Sequence, residues 1–201
     1  MKIIGLTGGS GSGKGEVSKI LAELDIPSID TDLVYRELTA ADTPCLRVLS
    51  DEFGTGIISE DGSLDRATLA GLVFSGEGAD ARRERLNQIA HRFILDETRK
   101  RLRLYAERGY SMAIVDAPVL FESGFDKECD AVICVIADRD VRISRIVARD
   151  SLSEEAAKMR IDSQMSDSAL KERSDYAIVN NGDLTALRKS VVDIIGKIRK
   201  I

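Results

Sequence analysis

The spacing of apolar positions changes several times along this chain, and each change marks an element. Ile3-Ile4-Gly5-Leu6-Thr7 is a short continuous run, read as a buried strand. Val17, Ile20, Leu21 and Leu24 then recur at three- and four-residue intervals, which predicts an amphipathic helix. A second strand is expected over 26–29, around Pro27. Asp30-Thr31-Asp32 reads as a helix start, because Asp and Thr oxygens accept bonds from the first unpaired N–H groups of a helix.

Between 43 and 78, turn signals such as Asp61-Gly62 separate short amphipathic pieces. From 80 to about 108, Leu86, Ile89, Phe93 and Ile94 stripe one long helix that Gly109 stops. Met112-Ala113-Ile114-Val115, ending at Asp116, and the stretch 131–136 are continuous apolar runs. Such runs suit a parallel sheet covered on both faces. A charged helical stretch follows over 138–173, then the strand Tyr176-Ala177-Ile178-Val179. Leu184, Leu187, Val191, Ile194 and Ile198 stripe a closing helix. Strands alternating with helices predict an α/β fold, doubly wound on a five-stranded parallel sheet.

Composition narrows the classes. The chain has 201 residues, 43% hydrophobic and 31% charged, which suits one main domain with a sizeable core. A net charge of −5, only four Tyr and five Phe, and no Trp disfavour a nucleic-acid partner. Cys45, Cys129 and Cys134 have no metal-ligand spacing and read as reduced thiols of a cytosolic protein. The single histidine, His91, excludes a multi-histidine metal centre. The N-terminal residues lack the pattern of a signal peptide, and no apolar run has the length of a membrane span. The expectation is a cytoplasmic protein with no membrane partner.

The strongest local signal is Gly8-Gly9-Ser10-Gly11-Ser12-Gly13-Lys14, which has the spacing of a phosphate-binding loop. Its glycines let successive N–H groups turn toward phosphate oxygens, the following helix adds its positive end, and Lys14 adds a point charge. Gly9, Ser10, Gly11, Ser12, Gly13, Lys14, Gly15 and Glu16 are therefore the candidate nucleotide-binding residues. The position after Lys14 departs from the pattern. A loop of this kind has Ser or Thr there, whose hydroxyl binds Mg²⁺, and this chain has Gly15. Mg²⁺ is expected to be held by phosphates, water and Asp32 or Asp116, since this ion keeps several waters and needs few carboxylates. Glu16 suits the helix dipole.

Ligands of open parallel sheets bind beyond the carboxyl ends of the strands. Asp30 and Asp32 follow one strand and Asp116 ends another. Asp30 is read as the helix cap and Asp32 as the base that accepts the proton of an attacking hydroxyl. Arg142, Arg145 and Arg149 share a helix face, with Arg160 beyond; such arginines can clamp phosphates, and a solvated face paired with Asp150, Glu154 and Glu155 is the other reading.

Several stretches in order resemble the dephospho-coenzyme A kinase family. They are Gly5 to Lys14, Ile29-Asp30-Thr31-Asp32, Asp61-Gly62-Ser63-Leu64-Asp65-Arg66, Leu86-Asn87-Gln88-Ile89-Ala90-His91, and Asp116-Ala117-Pro118-Val119-Leu120-Phe121-Glu122. Arg145, Arg149-Asp150, Glu154-Glu155-Ala156, Arg160 and Gln164 resemble the family's lid, and Asp175 with Asn180-Asn181-Gly182 its last strand and turn. Gly15, Arg92 and Val119 depart from the family's usual residues.

The resemblance implies a P-loop kinase that uses ATP to phosphorylate the ribose 3′-hydroxyl of dephospho-coenzyme A. It implies a nucleotide core over about 1–42, 109–149 and 174–201, a helical substrate domain over about 43–108 and a lid over about 150–173. By analogy Asp32 is the base, Lys14 holds phosphates, and Arg145 and Arg149 lie near the nucleotide. Asp32, His91, Asp116 and Pro118 then face the acceptor. ATP and Mg²⁺ are the implied cofactors, and the expected assembly is a monomer or weak homo-oligomer. Two other readings stay open here: a P-loop kinase acting on a nucleoside, shikimate or gluconate, and a nucleotide binder that no longer catalyses.

Overall fold

The computed structural model describes residues 1–200. Five strands form one sheet: β1 (Lys2–Gly8), β2 (Ser28–Asp30), β3 (Met112–Asp116), β4 (Ala131–Ile136) and β5 (Tyr176–Val179). Their order is β2-β3-β1-β4-β5. β1 lies centrally and runs parallel to both β3 and β4, and β5 runs parallel to β4. The expected α/β fold with a five-stranded parallel sheet is what forms. β2 is counted from Ser28, two residues later than the apolar pattern suggested, although Pro27 already accepts a bond from Ile114 N–H. A proline cannot donate, so the ladder starts one-sided there.

The molecule divides into two compact units, residues 1–29 with 104–201, and residues 30–103. In the first unit, α1 (Lys14–Glu23) and α9 (Leu184–Ile198) cover one face of the sheet. Their Val17, Ile20, Leu21, Leu187, Val191 and Ile195 meet Ile4, Leu6, Ile114, Ile133 and Val135. Burying each such side chain contributes about 1.5–3 kcal/mol. The other face is packed as tightly. A Cβ at Gly5 would stand 2.6 Å from Leu120 Cδ2, so any larger residue there requires Leu120 to shift.

The charged stretch 138–173 is not one helix. It breaks into α6 (Arg139–Asp150), α7 (Glu154–Asp162) and α8 (Asp167–Arg173). Ser151 turns left-handed at φ 53°, and the Ser153 and Ser166 side chains cap the next two helices. Ile143 and Ile146 of α6 pack on Ala157 and Ile161 of α7.

The second unit is helical, with α2 (Thr31–Leu38), α3 (Pro44–Phe53), α4 (Arg66–Phe74) and most of α5 (Ala79–Glu107). Cys45, Leu49, Leu64, Leu69, Val73 and Ile89 form its core, with Tyr35, Leu38, Leu86 and Phe93 against it. Because Tyr35 and Leu38 join that core, α2 belongs to this compact unit. The Asp61-to-Arg66 stretch builds a turn and a cap here. Asp61 accepts from Ser63 N–H at 2.9 Å, Gly62 has φ 81°, and Asp65 caps α4. The bonds from Ser63 hold the Asp61 carboxyl down at about 2.

Candidate active site

β1 ends at Gly8, and the chain then loops through Gly9 to Gly13 into α1. Gly13 is the N-cap residue, left-handed at φ 94°, so Lys14 opens the helix. The loop glycines are required by space as well as torsion. Gly11 has φ 77°, and a Cβ on it would lie 2.6 Å from the Arg142 carbonyl oxygen. A Cβ on Gly13 would collide with the Asn180 amide, which donates to the Ser12 carbonyl at 2.8 Å. Gly15, by contrast, opens on free space.

Gly13→Ala should therefore displace Asn180 and force a side chain into a left-handed backbone, a strain of about 1–3 kcal/mol. The expected result is a loss of ATP affinity of tenfold or more by calorimetry, with Gly15→Ala unaffected. Equal affinities for the two variants would remove the packing argument.

Register brings the charged groups together. Leu6 of β1 pairs with Asp116 of β3, so the end of β3 lies beside the strand that feeds the loop. Lys14 Nζ forms an ion pair with Asp116 Oδ1, and Ser18 Oγ donates to Asp116 Oδ2 at 2.7 Å. Asp116 is buried at 6% exposure. Glu16 instead pairs with Lys19 on the exposed side of α1, as a first-turn carboxylate can.

Arg142, Arg145 and Arg149 of α6 behave differently, although their spacing is that of one face. Arg142 is buried at 3% exposure and turned into the protein. Its guanidinium donates to the Ser10 carbonyl at 2.9 Å, to Asp167 at 2.9 Å and to Gln164 at 3.2 Å. Arg145 is half-buried and reaches the Gly11 and Ser12 carbonyls at 3.3 and 3.4 Å. Arg149 is exposed and grips Asp150 with both arms of its fork, at 2.7 and 2.9 Å. Arg149 first, then Arg160, holds the Asp150 carboxyl down at about 2.

Gln164, between α7 and α8, clasps the loop: its Oε1 accepts from Ser10 N–H at 2.9 Å and its Nε2 donates to Ser10 Oγ at 3.1 Å. A cleft of about 140 Å³ runs beside this contact, lined by Gly8, Gly9, Pro118, Glu122, Gln164 and Met165 among others. Pro118 thus stands at the loop's edge, and its carbonyl accepts from Thr7 Oγ1 at 3.3 Å.

Asp32 and His91 belong to the helical unit. The cap of α2 is Asp30, whose Oδ1 accepts from Asp32 N–H at 2.9 Å and Leu33 N–H at 3.2 Å. Asp32 is exposed in the first turn, and His91 is half-buried midway along α5. Burial pushes the Cys45 thiol up to about 11 and the Cys129 thiol up to about 12. Neither is a thiolate near neutral pH, so neither is a nucleophile. Among the described residues no cluster of three His, Cys, Asp or Glu side chains is placed to hold a metal by itself.

A glycine-rich loop between a central parallel strand and a helix, with a lysine paired to a strand-end carboxylate, defines a P-loop nucleotide-binding protein. The particular family follows from comparison. The family model described as dephospho-CoA kinase matches residues 2–186. The dephospho-CoA kinase of Syntrophotalea carbinolica is 36% identical over 98% of this chain and 92% of its own length. That of Moorella thermoacetica is 41% identical over 95% and 89%. The solved dephospho-CoA kinase of Campylobacter jejuni superposes with a TM-score of 0.72 at 25% identity, covering 100% of this chain and 98% of its own. The chain belongs to the dephospho-CoA kinase family, and it is a phosphotransferase.

Sequence reasoning did not find Ser18 or the inward role of Arg142. Ser18 lies one turn after Lys14 and was legible as a neighbour of it, but its partner Asp116 is 98 residues away.

Proposed function

We propose that this protein transfers the γ-phosphoryl group of ATP to the ribose 3′-hydroxyl of dephospho-coenzyme A, giving coenzyme A and ADP, the last step of coenzyme A synthesis. The observation that carries the reading is the loop–Lys14–Asp116 unit in a chain that matches this family over nearly its whole length. The acceptor oxygen bonds to the γ-phosphorus, the bond to the β-phosphate bridging oxygen breaks, and the acceptor proton passes to Asp32. Little covalent chemistry is asked of the protein, so its work is positioning and charge stabilisation.

In this reading the N–H groups from Gly9 to Glu16 and the Lys14 ammonium receive the phosphates. Arg145, already against the loop, stabilises charge on the transferring group. Arg149 joins it by exchanging Asp150 for a phosphate, a small cost because exposed ion pairs contribute only about 0–1 kcal/mol. His91, Asp116 and Pro118 take the acceptor. The segments about 43–108 and 150–173 act as substrate domain and lid, and those of about 1–42, 109–149 and 174–201 as the nucleotide core.

The residues present fit Mg²⁺. One buried carboxylate, Asp116, is a sufficient protein ligand for an ion that keeps its waters and takes phosphate oxygens. Asp32 is the second candidate. When bound, the ion neutralises charge on the β- and γ-phosphates.

Among the described residues no helix is long and apolar enough to cross a membrane. We place the enzyme in the cytoplasm as a monomer or weak homo-oligomer, with ATP and dephospho-coenzyme A as its partners.

The test is ADP release from MgATP with and without dephospho-coenzyme A. Strong acceptor-dependent release is expected. ATP binding without release would favour an inactive binder, and release only with another alcohol would replace the acceptor.

A further inference from the structure

We propose that Ser18 is the positioning residue that holds Asp116 for the metal–nucleotide complex, supplying from the next turn of α1 the hydroxyl that position 15 lacks. The inference rests on the reading of Asp116 as the protein's metal ligand. Ser18 Oγ has one proton and two oxygens in reach. Asp116 Oδ2 lies at 2.7 Å and the Lys14 carbonyl at 3.2 Å, so the bond goes to the charged, nearer acceptor. Lys14 and Ser18 are four residues apart, on one face of the helix, and each takes one oxygen of the same buried carboxylate.

The two grips differ in kind. Lys14 is a charge, and its task in the reaction is the phosphates, so nucleotide competes with Asp116 for it. Ser18 is neutral. It fixes the carboxylate's orientation without cancelling the negative charge that a cation needs. Gly15 offers no side-chain oxygen. The space beside it is open: a Cβ there meets no atom within 4 Å. Nothing steric explains the missing hydroxyl, and nothing prevents its restoration. Ser18, three residues on, carries a hydroxyl that does reach the end of β3.

Five full-length proteins test this: wild type, Ser18→Ala, Ser18→Thr, Gly15→Ser, and Ser18→Ala combined with Gly15→Ser. ATP affinity is measured by calorimetry with Mg²⁺ and with excess chelator. Mn²⁺ affinity is read by electron paramagnetic resonance in the presence of a non-hydrolysable ATP analogue. For Ser18→Ala we expect a loss of about tenfold in the metal-dependent affinity, the scale of one hydrogen bond to a charged group, and less than about twofold without metal. Ser18→Thr keeps the hydroxyl and should restore the metal-dependent value, as should Gly15→Ser in the Ser18→Ala background.

Equal losses with and without metal would make Ser18 a helix residue only and overturn the proposal, as would no loss at all. So would a gain from Gly15→Ser that is as large in wild type as in Ser18→Ala. None of these readouts involves the acceptor. Absent turnover with dephospho-coenzyme A would overturn the proposed reaction and leave this inference standing, and the reverse holds equally.

Discussion

Asp32→Asn lowers turnover by about a hundred- to ten-thousand-fold and changes ATP affinity by less than about twofold. The substitution keeps size and removes the one property that the proposed role needs, a carboxylate able to take the acceptor's proton. The local structure separates Asp32 from its neighbour Asp30. Asp30 spends an oxygen on two backbone N–H groups and so holds the start of α2. In that cap Asp32 supplies its N–H, and its side chain projects from an exposed first turn.

Asp30→Asn should therefore behave differently. Asparagine caps nearly as well as aspartate, so most activity should remain. The pair is measured by single-turnover kinetics with ATP binding followed separately. An Asp32→Asn protein of near-normal rate excludes Asp32 as the base. A loss of ATP binding matching the loss of rate assigns it to the nucleotide instead.

How much of this was legible beforehand depended on the range of the interactions involved. The strands were readable because a buried parallel strand must be apolar on both faces, and that leaves continuous runs such as Ala131–Ile136. The loop was readable because its glycines satisfy a purely local torsional demand, seen at Gly11 and Gly13. The breaks of the 138–173 stretch were marked only by serines amid many charges, and capping serines look like any exposed serine until the helices pack.

The arginines show the limit most clearly. Arg142, Arg145 and Arg149 have the spacing of a shared face, yet burial falls steadily from the first to the last. What fixes the fates of Arg142 and Arg145 is the loop more than 130 residues earlier, and for Arg142 also Gln164 and Asp167, beyond the next helix. No spacing rule contains that information. The same holds for Ser18, whose partner comes from a strand that only the sheet order brings near.

Arg142→Ala should lower both stability and ATP affinity, because the same guanidinium serves the fold and the loop. Breaking a buried ion pair by removing one partner costs about 3–5 kcal/mol. The Asp167 side chain is 33% exposed and water can recover part of its solvation, so the low end applies. A loss of about 3 kcal/mol lowers the melting temperature of a domain this size by about 6–12 °C.

The second effect follows from what else is cut. The Ser10 carbonyl and the Gln164 amide lose their common donor, so the clasp between α6, the α7–α8 connection and the loop loosens at Ser10. A looser loop has more conformations to give up when it closes on phosphates, and ATP binds more weakly for that reason. Arg142→Lys separates the two contributions. It keeps the charge beside Asp167 but cannot fork to Ser10 and Gln164 at once. It should recover much of the stability and little of the affinity, as read by thermal unfolding and calorimetry on the same samples. Affinity that returns together with stability would mean that Arg142 supports the fold alone and that the loop keeps its shape without it.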